Sequence, residues 1–151
     1  MTWMQDQIVQ ALAGTWLFDR VLEGAVSGTP IGTVKGRATF VAVGMRDAVY
    51  AENGVLVLDT GQSVSASGHY YLRQLGGDLA IFFDEGRTRL FHRLNLRGSA
   101  EAGFAAASTH FCAPDRYESL YEFRRDGSFA VEHVVSGPRK SYISRTVYRR
   151  A

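Results

Sequence analysis

Hydrophobic and polar residues alternate with a period of two along most of this chain, starting at about Thr15 and continuing to Arg149. In residues 33–43, for example, the apolar Ala38 and Phe40 are separated by the polar Thr39, and Arg37 precedes Ala38. A period of two is typical of a β-strand, in which successive side chains point to opposite faces of a sheet. The pattern therefore predicts a protein built mainly from strands. Residues 5–12 are the exception, because their apolar spacing predicts one short N-terminal helix that Thr2 or Asp6 could cap.

Turn sequences divide the alternating region into about ten short strands. Asn53-Gly54 is the strongest hairpin signal and predicts a turn between strands at residues 47–52 and 55–60. The other turn sequences are Gly76-Gly77-Asp78, Ala113-Pro114, Asp126-Gly127 and Gly137-Pro138. Short connections and the need to cover sheet edges favour an all-β fold, a closed antiparallel up-and-down barrel of about 8–10 strands.

Composition and charge narrow the class of protein. A chain of 151 residues with 46% hydrophobic residues predicts one domain, residues 1–151, with a core that needs no disulfide. The net charge of +2 is not gathered into a basic stripe, so nucleic acid is not an expected partner. Cys112 is the only cysteine, which favours a reducing compartment. Neither a signal peptide nor an apolar run of about 20 residues is recognisable, so we expect a cytoplasmic protein without a membrane partner.

Several polar side chains fall at positions where the alternation predicts an inward-facing residue. In residues 87–96, His92 shares a face with Leu90 and Leu94, whereas Phe91 falls on the polar side and is expected to lie under the helix. The predicted interior polar set, and so the candidate ligand-binding set, is Arg20, His92, His110, Cys112, Asp115, Tyr117 and Tyr121. Buried polar groups are costly when unpaired, so a cluster of them predicts a small-molecule pocket in the barrel.

Three uses of this interior remain open. In the first, the barrel binds a partly apolar, anionic small molecule, with Arg20 facing the charge. In the second, His110 and Cys112, completed by His92 or Asp115, hold zinc, or the barrel holds haem. In the third, His92 or His110 is a general base, or Cys112 a nucleophile, in an enzyme. No catalytic residue or cofactor is assigned, and no metal is expected in the first reading.

Partners are predicted only in outline. The primary partner is the small-molecule ligand. Ile143 and Val147 alternate with polar residues on the last strand and are expected to face outwards. Such an apolar pair on an outer strand predicts a homodimer as a further association.

The sequence Gly14-Thr15-Trp16, after a short helix and at the start of the first strand, resembles the Gly-x-Trp signature of calycins, the lipocalin-like barrels. The resemblance implies that a basic side chain of the last strand, Arg145 or Arg149, packs over Trp16 and closes the barrel. The chain also resembles a bacterial family of small uncharacterised lipocalin-like domains. That resemblance rests on residues 12–20, Phe91-His92, residues 110–117 and residues 137–142. It implies a fold and no catalytic roles.

Overall fold

The computed structural model describes residues 2–151, in which eleven antiparallel strands form one sheet. The strands are β1 (Gly14–Gly24), β2 (Pro30–Val43), β3 (Asp47–Leu58), β4 (Ser63–Leu75), β5 (Asp78–Phe82), β6 (Leu90–Asn95), β7 (Arg97–Ser99), β8 (Gly103–Cys112), β9 (Asp115–Arg124), β10 (Phe129–Ser136) and β11 (Ser141–Arg150). They follow the order β6-β5-β4-β3-β2-β1-β11-β10-β9-β8-β7, with β1 paired to β11. The predicted up-and-down barrel is confirmed, with eleven strands instead of the expected 8–10.

The barrel is nearly closed, because the two ends of the sheet are joined by consecutive segments of the chain. Strand β6 pairs with β5 and packs beside β8. Strand β7, which follows β6 in the chain, pairs with β8. These two strands are short, so they cover only the half of the seam nearest the N-terminal helix. Along the other half, residues 63–70 of β4 and 106–112 of β8 each have one edge with no strand partner among residues 2–151.

The N-terminal segment covers one end of the barrel. A 3-10 turn at Gln5–Gln7 leads into the helix α1, Ile8–Leu12, so the predicted helix begins with a tighter turn. Neither turn nor helix has a side-chain cap, so the capping predicted for Thr2 or Asp6 is wrong. Ile8, Val9 and Leu12 are buried and fix the segment through packing. A helix of this length is stable only when docked. No helix within residues 2–151 has the length and apolar character needed to cross a membrane.

Trp16 lies at this covered end and is fully buried. Its Nε1 donates a hydrogen bond to the Leu12 carbonyl at 2.8 Å, and the Trp3 ring stacks on it at 6.2 Å between centroids. The guanidinium of Arg150 lies 4.1 Å from the Trp16 ring centroid and donates to the carbonyls of Ala11 and Ala13. A basic residue of the last strand therefore does cover the tryptophan, but it is Arg150, since only its strand position pairs with Trp16.

The hairpin predicted at Asn53-Gly54 is wrong, because both residues lie inside the continuous strand β3. Gly54 pairs with Gly36 of β2, and the two backbones approach so closely that a Cβ on Gly36 would meet the Asn53 carbonyl oxygen at 2.3 Å. The ring of Phe18 lies 2.8 Å from the same Cβ position and fills the space that glycine leaves. Glycine here serves close backbone approach within a sheet, a role that sequence alone does not distinguish from a turn.

Candidate functional site

A cavity of about 380 Å³ occupies the interior of the barrel. Leu12 of α1 lies at its closed end, and the half-buried side chains of Leu22, Tyr117 and Tyr142 lie towards the opposite end. The other wall residues are Arg20, Phe40, Tyr50, Glu52, Tyr70, Leu72, Leu79, Ile81, Phe91, Tyr121, Phe123, Phe129, Val131, His133, Val135, Ser144, Thr146 and Tyr148. The volume and the mainly apolar, aromatic wall are those of a site for a small organic molecule.

An ion pair inside the wall forms the first polar feature. Two nitrogens of the Arg20 guanidinium donate to the two carboxylate oxygens of Glu52, at 2.8 and 2.9 Å. The third, Nε, donates to the Thr146 hydroxyl at 2.7 Å. Strands β1, β3 and β11 supply these residues, and in the sheet only β2 separates β1 from β3. Arg20 therefore has its charge neutralised by a carboxylate of the same protein.

Two tyrosines extend the ion pair in one direction. The Tyr50 hydroxyl donates to the Glu52 carboxylate at 2.6 Å and lies 2.9 Å from the Tyr148 hydroxyl. Because Tyr50 gives its proton to the carboxylate, Tyr148 must donate to Tyr50. Burial raises the pKa of both tyrosines, and for Tyr148 it outweighs the opposing charge of Arg20, so both keep their protons at neutral pH.

The ion pair keeps its charges at neutral pH. Burial by itself raises the pKa of the Glu52 carboxyl, but the hydrogen bonds and charge of Arg20 outweigh burial and leave that pKa below its usual value. Burial likewise opposes ionisation of Arg20, and the contacts with Glu52 reverse its effect and raise the pKa of Arg20. An anionic ligand was expected because the charge of Arg20 was assumed to be unpaired. Since Glu52 pairs with Arg20 through two hydrogen bonds, that assumption does not hold.

Three histidines gather on the other side of the cavity. The rings of His92 and His133 are stacked with centroids 6.2 Å apart, and His110 lies 6.4 Å from His92. Nδ1 of His92 lies 3.0 Å from the Tyr121 hydroxyl, and Nδ1 of His133 lies 2.5 Å from the Ser119 hydroxyl. Burial and the neighbouring histidines lower the pKa of His92 to about 3, and burial with the Arg20 charge lowers that of His133 to about 4. These two rings are therefore neutral at physiological pH.

A bulge in β6 places adjacent residues in the interior. Ile81 of β5 pairs with His92 and the next residue, Phe82, pairs with Leu90, so Phe91 is the extra residue. Phe91 and His92 are both buried, whereas Leu90 is 43% exposed. The strict alternation predicted for this strand is wrong for Leu90 and Phe91, because a bulge changes the phase of the side chains. Phe91 lies in the cavity wall and not under the helix.

The structure separates the predicted ligand-binding residues into three groups. Arg20, Tyr117 and Tyr121 lie in the cavity wall. His92 and His110 lie behind it, His92 buried and His110 half-buried against Phe83 and Phe91. Their role in binding stays a prediction.

Cys112 and Asp115 do not face the cavity. They pair with each other beside the two-residue turn between β8 and β9. Cys112 is exposed, and Asp115 forms an ion pair with Lys140 at 3.2 Å. The interior position predicted for them is wrong, because the alternation was extended past the end of the cavity. Within residues 2–151 no group of three His, Cys, Asp or Glu side chains is placed to hold a metal ion, so the proposed zinc donors are not brought together.

The site also contains residues that the sequence reasoning missed. Glu52, Tyr50 and Tyr148 complete the ion-pair network, and His133 faces the cavity from β10. The turn wrongly predicted at Asn53-Gly54 placed Glu52 at the end of a strand, so an interior position was not expected for it. His133 is in phase with the inward-facing Val131 and Val135, so the alternation along β10 is the signal that indicates its position.

Comparison with known proteins places the chain in a family. A model described as a family of unknown function, DUF6314, matches residues 12–150. The chain belongs to that family. The prediction of an uncharacterised family is thereby confirmed. No curated protein matches the chain.

Of three similar solved structures, one supports the fold. An S-type phycobiliprotein lyase from Guillardia theta is similar over 100% of this chain and 93% of its own, with a TM-score of 0.64 and 9% identity. Rv2717c from M. tuberculosis covers 100% of this chain and 99% of its own, with a TM-score of 0.48 and 15% identity. A protein described as EF1p2_mFAP2b bound to DFHBI covers 98% of this chain and 100% of its own, with a TM-score of 0.43 and 14% identity. At these identities the likeness with the lyase supports the barrel fold alone.

Proposed function

We propose that this protein binds a small, flat, uncharged and partly apolar molecule in the barrel cavity, inside a bacterial cytoplasm. The observation that carries the proposal is the combination of a cavity of about 380 Å³ with a wall of aromatic rings. Tyr70, for example, stacks on Phe91 at 5.5 Å and presents a flat surface. Aromatic surfaces of this kind favour flat ligands. The similar fold of the lyase, whose name refers to a phycobiliprotein, agrees with this proposal.

The absence of net charge in the wall favours an uncharged ligand. Arg20 and Glu52 neutralise each other through two hydrogen bonds, and His92 and His133 are neutral near pH 7. A ligand carboxylate would have to compete with Glu52 for Arg20 and would leave one buried carboxylate unpaired. Leaving a buried charge unpaired costs several kcal/mol. The ligand proposed from the sequence is therefore revised from anionic to uncharged.

Catalysis by a histidine of the cavity is the weaker alternative. A general base acts best when its pKa lies near the working pH. The pKa of His133, the histidine in the cavity wall, is about 4, and that of His92 is about 3. Neither histidine is thus matched to proton abstraction at neutral pH, and binding is the function that the geometry supports best.

Native mass spectrometry of the protein as purified, followed by titration with the neutral dye Nile red, tests the proposal. We expect a retained organic mass or uptake of the dye. Val131→Trp, which places a large ring in the cavity wall, should abolish either signal. Val55→Trp is the matched control, because Val55 lies on the outside of β3 and is 49% exposed. Wild-type protein with neither retained mass nor dye uptake, or a Val131→Trp variant that still binds, would overturn the proposal.

A further inference from the structure

The contact between His92 and Tyr121 bears on which nitrogen of the neutral His92 ring carries the proton. Nδ1 of His92 is 3.0 Å from the Tyr121 hydroxyl oxygen. The other ring nitrogen, Nε2, is buried and has no hydrogen-bond partner among residues 2–151. Within the same residues, His92 is also the only recorded partner of the Tyr121 hydroxyl. Tyr121 lies in the cavity wall, whereas His92 lies behind it.

Two arrangements of the protons are compatible with this geometry. If Tyr121 donates to Nδ1, the proton of the neutral imidazole sits on Nε2, and a buried N–H has no acceptor. If Nδ1–H donates to Tyr121, Nε2 keeps only an unused lone pair, and the hydroxyl proton of Tyr121 is directed elsewhere. Each arrangement leaves one buried donor without an acceptor in the part of the chain that the structure describes: Nε2–H behind the cavity wall in the first, and the hydroxyl of Tyr121, a residue of the wall, in the second. Only the second donor can be satisfied by a molecule in the cavity. An occupied cavity therefore favours the second arrangement.

We propose that Nδ1–H of His92 donates to Tyr121, and that Tyr121 donates its own proton to a hydrogen-bond acceptor, such as a ring carbonyl, on the molecule in the cavity. This inference rests on the proposed function and adds the chemical group that the cavity recognises. His92 is then a positioning residue, which holds the hydroxyl and fixes the direction of its proton. Tyr121 is the residue that touches the ligand.

The tyrosines across the cavity have a different role. Tyr50 gives its proton to Glu52, and Tyr148 gives its proton to Tyr50, so neither proton is available to a ligand. Burial raises the pKa of Tyr121 well above its usual value, so its hydroxyl stays protonated and remains a donor. The ligand class that follows is a flat, uncharged ring compound with a carbonyl group.

The position of the proton on His92 is tested first, by two-bond ¹H–¹⁵N NMR spectra of the ¹⁵N-labelled wild-type protein saturated with Nile red at pH 7. The His92 signals are assigned by their loss in His92→Gln. We expect the pattern of a neutral ring protonated at Nδ1. A ring protonated at Nε2 in this complex would overturn the inference.

The recognition of a carbonyl is tested with two dyes, Nile red, which carries a ring carbonyl, and pyrene, a flat hydrocarbon without one. Tyr121→Phe should weaken Nile red roughly 2- to 10-fold relative to pyrene, the effect of losing one neutral hydrogen bond. Tyr71→Phe is the matched control, because Tyr71 is not part of the cavity wall, and it should leave the ratio of the two affinities unchanged. If both dyes bind and Tyr121→Phe leaves their ratio unchanged, this inference alone fails. If wild-type protein binds neither dye, the proposed function fails with it.

Discussion

The substitution Glu52→Gln gives the sharpest test of the polar network, because it removes one charge and changes almost nothing in shape. Arg20 would keep its positive charge with 19% of its side chain exposed and would lose the carboxylate that accepts two of its hydrogen bonds. Breaking a buried ion pair by removing one partner costs about 3–5 kcal/mol. Since the cavity gives Arg20 some contact with water, we expect about 3 kcal/mol. For a chain of this length that corresponds to a Tm lower by about 6–12 °C.

Thermal and urea unfolding, followed by circular dichroism at pH 7, measures the effect. The double variant Arg20→Met with Glu52→Leu is the control, because removing both charges leaves no unpaired ion. Replacing a buried pair by apolar residues is often neutral or stabilising, so the double variant should be more stable than Glu52→Gln. A loss below about 1 kcal/mol in Glu52→Gln, or a double variant less stable than the single one, would refute the view that the two charges neutralise each other.

Three further predictions concern the rest of the fold. Trp16→Ala should lower the free energy of unfolding by about 3–5 kcal/mol in urea titrations, the usual cost of deleting a large buried aromatic ring, and a loss below about 1 kcal/mol would contradict its place in the core. Gly36→Ala should destabilise by about 1–3 kcal/mol because its Cβ meets backbone at 2.3 Å, while Gly68→Ala, whose nearest contact is 3.5 Å, should not; equal effects would contradict the close approach. The pKa values of His92 and His133 in the folded protein are lowered to about 3 and 4. Below pH 6.5 these two histidines therefore bind protons in the unfolded chain but stay neutral in the folded protein. Stability should thus fall from pH 6.5 towards pH 4.5 by up to about 1.4 kcal/mol per pH unit for each histidine, and a profile that His133→Gln does not flatten would contradict this.

The sequence was informative where the alternation is regular and misleading where backbone geometry interrupts it. Regular alternation placed Arg20, Tyr117 and Tyr121 in the wall, because each lies in an unbroken strand of the cavity region. At Phe91 a bulge changes which side chains face the interior, and no residue type predicts a bulge reliably.

Long-range pairing accounts for the remaining errors. Asn53-Gly54 reads as a turn unless Gly36 is known to lie opposite, and that depends on the register of β2 and β3. The ion pair between Arg20 and Glu52 joins residues 32 positions apart, so the sequence could show the arginine but not its partner. The expectation of an anionic ligand was made without knowledge of this partner, and the charge of the ligand stays a prediction.

The unpaired edges of β4 and β8 determine how much the diameter of the barrel can vary. Around most of its circumference, the sheet is held by ladders of backbone hydrogen bonds, which cannot lengthen without breaking. Between residues 63–70 and residues 106–112, no such ladder joins the two strands. Spreading at this seam therefore breaks no interstrand hydrogen bond. We expect the barrel to widen there when a ligand binds. The volume of about 380 Å³ is then the volume of the empty cavity and not an upper limit on the size of its ligands.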